Sequence, residues 1–156
     1  MVNMVVTYRR ADLNSNAEMQ AIAAIDMTIP AMFDPLFEVN EKTISERLEQ
    51  LMKCKQTDFF DVAVTADGQI VGYHFMNQFH APHGVLAASI QTLWVAPEFR
   101  RRGIAKTLKS QGEAWAREHK LDHISTFVHA KNTSMSALNQ DLEYELVGYK
   151  LRKRLS

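Results

Sequence analysis

Apolar residues recur along this chain with two different periods, and the places where the period changes mark its elements. Val5 to Arg9 reads as a short strand. Ser15-x-x-Glu18 has the form of a capping box, and Met19, Ile22, Ile25 and Ile29 follow on one helical face. Pro30 is expected to end that helix, because it lacks an N–H and its ring crowds the preceding turn. The connection from Ala31 to Glu38 is unusually apolar for a loop, carrying Met32, Phe33, Leu36 and Phe37. A second capping box, Thr43-x-x-Glu46, opens a helix in which Ile44, Leu48, Leu51 and Met52 keep helical spacing.

The period then shortens to two. Phe59 to Thr65 and Gln69 to Phe79 are strand-like runs joined by Ala66-Asp67-Gly68, and Asp-Gly is a preferred hairpin turn, so the pair is predicted antiparallel. In a third run, Val85 to Val95, Leu86, Ala88 and Ile90 share one parity while Leu93 and Val95 share the other. One extra residue near Gln91 or Thr92 accounts for the change of phase, and a bulge there would splay the strand from its neighbour. A helix from Gly103 to about His119 buries Ile104, Leu108 and Trp115. His123 to His129 reads as a strand, Asn132 as the cap of a helix carrying Met135, Leu138 and Leu142, and Tyr144 to Leu155 as a closing strand. No internal repeat or linker interrupts the order β-α-α-β-β-β-α-β-α-β, so residues 1–156 are expected to form one domain of mixed α/β (α+β) class.

Composition narrows the partners. Formal net charge is zero, which disfavours nucleic acid as the main ligand. No apolar stretch reaches membrane-spanning length, and Met1 to Arg10 lacks the character of a secretory leader. With one cysteine, Cys54, no intramolecular disulfide can form, and a reducing, cytoplasmic setting is expected. Lys53 and Lys55 beside it would lower its pKa, but it falls on the second helix, away from the loop described next. Zero net charge hides an asymmetry: residues 1–78 carry net −5 and residues 79–156 net +5.

The basic half contains the most specific signal. Leu93-Trp94-Val95 runs as an apolar strand into Pro97 and then Arg100-Arg101-Arg102-Gly103-Ile104-Ala105-Lys106, where a helix begins. Backbone N–H groups and the dipole of a helix start favour an anion, and three arginines suit that setting. A P-loop is excluded, because Arg100 and Ala105 stand where it needs glycines, and a dinucleotide fingerprint is excluded because only one glycine is present. The spacing Val95-x-Pro97-x-x-Arg100-x-x-Gly103-Ile104-Ala105-x-x-Leu108 resembles the coenzyme A loop of the GNAT superfamily of N-acetyltransferases, and the order of elements is similar to that fold over nearly the whole chain.

That resemblance implies a mixed, mostly antiparallel central sheet flanked by helices, a splayed fourth strand, and acetyl-CoA held by Leu93, Trp94, Val95, Arg100 to Lys106 and Asn132. It implies acetyl transfer to a primary amine by direct attack. Asn139 stands where the family usually has a tyrosine that protonates the departing thiolate, and Glu143 where it has a glycine. An asparagine amide has no titratable proton near neutral pH, so Asn139 can only hydrogen-bond the sulfur. Gln91 lies where many members carry a glutamate base, which leaves His80 and His83 as candidate bases. Those departures keep a noncatalytic coenzyme A binding or regulatory domain in view as the alternative.

No metal site is expected. His80-x-x-His83 has no third ligand nearby, and His119-x-x-x-His123 lacks a glutamate after its first histidine. For the acceptor, the apolar connection reads as core or as a lid over a pocket between the first two helices, with Phe33, Asp34, Glu38 and Gln91 as candidate contacts. The acidic half, with Asp34, Glu38 and Glu41, would suit a cationic small-molecule or peptide amine. A homodimer is a family-level expectation.

Overall fold

A computed structural model describes residues 5–155; the first four residues of the leader reading above lie outside them. The elements are β1 (Val6–Arg10), α1 (Asn16–Phe33), α2 (Glu41–Leu51), β2 (Phe59–Thr65), β3 (Ile70–His80), β4 (Leu86–Val95), α3 (Ile104–Glu118), β5 (Ile124–Ser125) and α4 (Thr133–Asp141). The strands form one sheet in sequence order, β1 to β5. The first three pairings are antiparallel and β4 with β5 is parallel. This is the mixed, mostly antiparallel sheet flanked by helices that the family resemblance implies.

Alternation divides the sheet into two faces. Phe60, Val62, Val64, Tyr73 and Phe75 point to α1 and α2 and pack with Met19, Ile22, Ala23 and Leu51. Ala63 faces Ile104 and Leu108 of α3, and so does Val71, which the register shift between Ala63 and Val64 leaves as an extra residue on β3. The first face also holds a charged group: Asp26 of α1, 5% exposed, accepts from the Tyr73 hydroxyl at 2.8 Å and pairs with Arg47 of α2. Both carboxylate oxygens are thereby satisfied, which is what allows the group to sit in an apolar layer.

Several boundaries differ from expectation. Pro30 does not end α1; the helix runs one further turn to Phe33, and the Asp34 N–H closes on the Pro30 carbonyl at 2.9 Å. In the last turn a proline removes only one hydrogen bond, which packing of the same helix offsets. The cap of α2 is Asn40, whose Oδ1 accepts from the Thr43 N–H while the Thr43 hydroxyl accepts from the Asn40 N–H, so the box starts three residues earlier than Thr43-x-x-Glu46. β5 spans two residues rather than His123 to His129. The strand expected over Tyr144 to Leu155 is not formed among the described residues, and Val147, Tyr149, Leu151 and Leu155 are exposed. Burial pushes the Cys54 thiol up to about 11, with the Asp58 charge adding to the effect, against the downward shift expected from its lysine neighbours.

Candidate active site

β4 carries the predicted irregularity. Across from β3, Thr92 opposes Phe75 and Ile90 opposes Met76, which leaves Gln91 as the extra residue of a bulge. On its other edge, among the described residues, β4 has a partner only at Ala88 and Ser89. From Ile90 to Val95 that edge meets no strand among the described residues, so a run of backbone donors and acceptors faces a gap. An extended ligand can complete the ladder there.

His74 braces the bulge from β3. Its side chain is 1% exposed and its Nδ1 lies 3.1 Å from the Thr92 carbonyl. Burial lowers its pKa to about 4, so the ring is neutral near pH 7, and a carbonyl partner requires that Nδ1 carry the hydrogen and donate it. Sequence reading missed this residue. Its signal was a histidine between Tyr73 and Phe75 in the otherwise apolar run Ile70–Met76.

Beyond Val95 the chain is tied back before it reaches α3. The Ala96 N–H donates to the Val71 carbonyl at 2.8 Å, and Arg100 Nε donates to the Val95 carbonyl at 3.0 Å. Buried Phe99 lies under the Arg102 guanidinium, 5.2 Å from the ring centre. Arg101 and Gly103 both take left-handed backbone, φ 61° and 82°, and Gly103 caps α3 without any side chain. Glycine is the residue that adopts this conformation without strain. The first N–H groups of α3, at Ile104, Ala105 and Lys106, are thus left for another acceptor. Arg101, Arg102 and Lys106 are exposed around them. Gly103, Lys106 and Thr107 line one end of a cavity of about 510 Å³ that continues along α3 to Gln111, whose Oε1 is buried without a hydrogen-bond partner among the described residues.

α4 carries the remaining cofactor candidates. Asn132 caps it, Oδ1 accepting from the Met135 N–H at 3.2 Å, which leaves its amide nitrogen for a ligand. Asn139 is the buried residue of this helix, and its Oδ1 has no hydrogen-bond partner among the described residues. Next to it in the fold, the Tyr144 N–H donates to the Asn139 carbonyl at 2.9 Å. The Lys109 ammonium lies 4.3 Å from the centre of the Tyr144 ring. Burial lowers the Lys109 pKa to about 8 and raises that of Tyr144 to about 12. Lys109 was not among the expected site residues; a lysine on an exposed-looking helix gives no sign in sequence that it will be 2% exposed.

The remaining candidates separate into two places. His80 ends β3 and His83 sits in the turn after it, both exposed, about 15 Å along the strand from the bulge at 3.4 Å per residue. The structure therefore does not bring them to the gap. Gln91 is exposed, and its Nε2 donates to Asn77 Oδ1 at 3.1 Å. Phe33 stacks on His129, ring centres 4.8 Å apart, beside Asp34, while Glu38 is exposed outside the pocket that those residues line. Met32 and Leu36 are exposed rather than core.

Comparison with known proteins gives the arrangement a family. The profile of the Acetyltransferase (GNAT) family matches residues 25–142. Mycothiol acetyltransferase of Salinispora tropica is 26% identical over 129 residues, which cover 74% of this chain and 40% of that protein, so the chain spans well under half the length of this relative. A putative acetyl transferase from Pyrococcus furiosus superposes with a TM-score of 0.77 at 20% identity, covering 97% of this chain and 100% of the other. AAC(6')-Iy, solved with the bisubstrate analog CoA-S-monomethyl-acetylneamine, superposes with a TM-score of 0.69 at 16% identity over 97% and 99% of the two chains. These structural likenesses establish the fold, and with the profile match over most of its length the chain belongs to the GNAT family of acetyltransferases.

Proposed function

We propose that this protein transfers an acetyl group from acetyl-CoA to a primary amine by direct attack. The observation that carries the proposal is the pairing of an uncapped α3 N-terminus with a β4 edge that has no strand partner from Ile90 to Val95 among the described residues. Acetyl-CoA supplies an activated acyl thioester. The residues present fit it: Arg101, Arg102, Lys106 and the free N–H groups at the start of α3 would hold its phosphates, while Arg100 keeps the loop tied to β4. The amide of Asn132 and the unpartnered Oδ1 of Asn139 would meet the pantetheine arm.

N–H groups of the Leu93 to Val95 stretch that point away from β3 would polarise the thioester carbonyl. Such fixed donors contribute about 3 kcal/mol each in comparable sites. The attacking nitrogen must be neutral, and its proton would leave through water, because the bulge presents Gln91 rather than a carboxylate. Asn139 offers the departing sulfur a hydrogen bond and no titratable proton.

Coenzyme A should raise the melting temperature, because a ligand bound only by the native state stabilises it by mass action. Gly103→Asp should abolish that shift, by strain at positive φ and by repulsion of phosphate. Thiol release with a panel of amines then tests the reaction. Absence of any shift or calorimetric heat at millimolar coenzyme A defeats the whole reading, and binding without thiol release leaves the noncatalytic alternative in its place.

A further inference from the structure

At the end of α1, on the sheet face opposite α3, lies a pocket of about 390 Å³. One wall is the Phe33–His129 stack, nearly parallel at 14°. Lys131, Arg152 and Arg154 surround it, and Asp34 is the carboxylate among its lining residues. That carboxylate is already engaged: Oδ1 accepts from the Leu36 N–H at 3.0 Å and Oδ2 lies 3.6 Å from Arg154. The pocket thus gathers three exposed cations, one of them already paired, against a single carboxylate.

We infer that this pocket takes the acceptor by an anionic group, a carboxylate, with the reacting amine directed toward the gap beside β4. The inference rests on the acetyl-transfer reading above, and it reverses the cationic acceptor expected from the charge split of the sequence. Glu38 and Glu41, on which that expectation relied, are exposed and outside the lining.

Three physical reasons support a carboxylate. A concave site focuses the field of its charges, so an excess of positive charge raises the local concentration of an anion. Guanidinium groups bind carboxylates with two parallel hydrogen bonds, and both Arg152 and Arg154 line the pocket. The stacked rings of Phe33 and His129 give the acceptor's carbon skeleton a flat surface to cover. Location separates this site from the phosphates of coenzyme A: Phe33 and Asp34 end a helix on the α1 face, whereas the uncapped helix start belongs to α3 on the other face.

A phosphate of coenzyme A has similar chemistry, so the test has arms for both. Dipeptides with a free carboxylate and the same dipeptides as amides are assayed by thiol release, with 1,4-diaminobutane as the dication, and their binding is measured by calorimetry. The carboxylates should be preferred over their amides by about tenfold in kcat/KM, as expected when an ion pair in a cleft is lost. Arg152→Gln and Arg154→Gln should each raise KM for the carboxylate form about fivefold with kcat and the Michaelis constant for acetyl-CoA unchanged, and Asp34→Asn should lower it. Equal turnover of acids and amides, or variants that move only the acetyl-CoA constant, overturns the inference while the enzyme reading stands. If no amine is turned over, calorimetry decides: carboxylate binding lost in the arginine variants supports the pocket, and equal or absent binding of the two forms rejects it.

Discussion

The two sides of β4 are built on different terms. Toward β3 it is paired over nine positions, from Leu86 opposite His80 to Val95 opposite Gly72, and both faces of that ladder are covered by helices. Toward β5 it is paired at two positions among the described residues, and the chain that follows carries Phe127, Leu146, Val147, Tyr149, Leu151 and Leu155 in the open. One side is a core that defines the backbone of β4; the other leaves that backbone exposed to a ligand. Fold stability and binding are accordingly expected to respond to different residues.

The largest effect should come from the paired side. Leu108 is fully buried between α3 and the sheet, and Leu108→Ala should cost about 2–5 kcal/mol in denaturant unfolding, from lost burial and the cavity left behind. Leu151, 90% exposed, is the control: Leu151→Ala should change stability by no more than about 0.5 kcal/mol. Similar losses for the two would mean that the C-terminal segment is packed in solution and that the comparison is false.

His74 joins the two sides, because it sits in the paired core and holds the bulge at its rim. Its pKa is about 4 in the fold against 6.5 in the unfolded chain, so between those values the unfolded state binds the proton more readily. Stability should therefore fall as pH drops from about 6.5 to about 4 and change no further below that on this group's account. The full loss is about 3 kcal/mol at 1.36 kcal/mol per unit. In His74→Gln that part of the acid sensitivity should vanish, read as the difference between the two stability curves. Parallel curves would show that the ring is not buried neutral.

Lys109 reports on the junction between α3 and the segment after α4. The folded pKa of about 8 lies below the ordinary 10.5, so the native state carries a full penalty for its buried charge below pH 8, and the penalty is relieved as pH rises to 10.5. Lys109→Met should stabilise the protein by about 1–3 kcal/mol at pH 7, with the gain shrinking across that window, because an apolar side chain of similar length removes the desolvated ammonium. A loss of stability at pH 7 would indicate that the contact with Tyr144 outweighs burial.

The same asymmetry decides how much could be read from sequence. The β2–β3 hairpin was legible because alternation and Asp67-Gly68 agree, and Gly68 does take φ 86° in the turn. The bulge at Gln91 was legible because an inserted residue must reverse the parity of an alternating strand. The loop from Arg100 to Lys106 showed itself in its own residues. By contrast, Val147, Tyr149 and Leu151 alternate like a strand yet pair with nothing described, since period two specifies an extended backbone and not an edge to receive it. His74 and Lys109 were illegible for a related reason: what makes them chemically unusual is burial by other elements, whereas His80 and His83 suggested a base through their residue type and their place between two strands.

The smallest predicted effect is at Glu143, directly after the last turn of α4. Its backbone is left-handed, φ 62°, in the region that glycine occupies freely and a residue with a Cβ occupies at a cost of about 1 kcal/mol. The chain must turn there to bring the Tyr144 N–H to the Asn139 carbonyl and the Tyr144 ring over Lys109. Glu143→Gly removes that strain but gives the unfolded chain more freedom, which offsets much of the gain, so the net stabilisation should be no more than about 0.5 kcal/mol. Glu143→Ala keeps the strain and should gain nothing. Because Glu143 lies on the weakly packed side of β4, the glycine variant should raise the unfolding midpoint slightly while leaving the heat of coenzyme A binding unchanged. A glycine variant less stable than the alanine one would show that the backbone at 143 is not left-handed in solution.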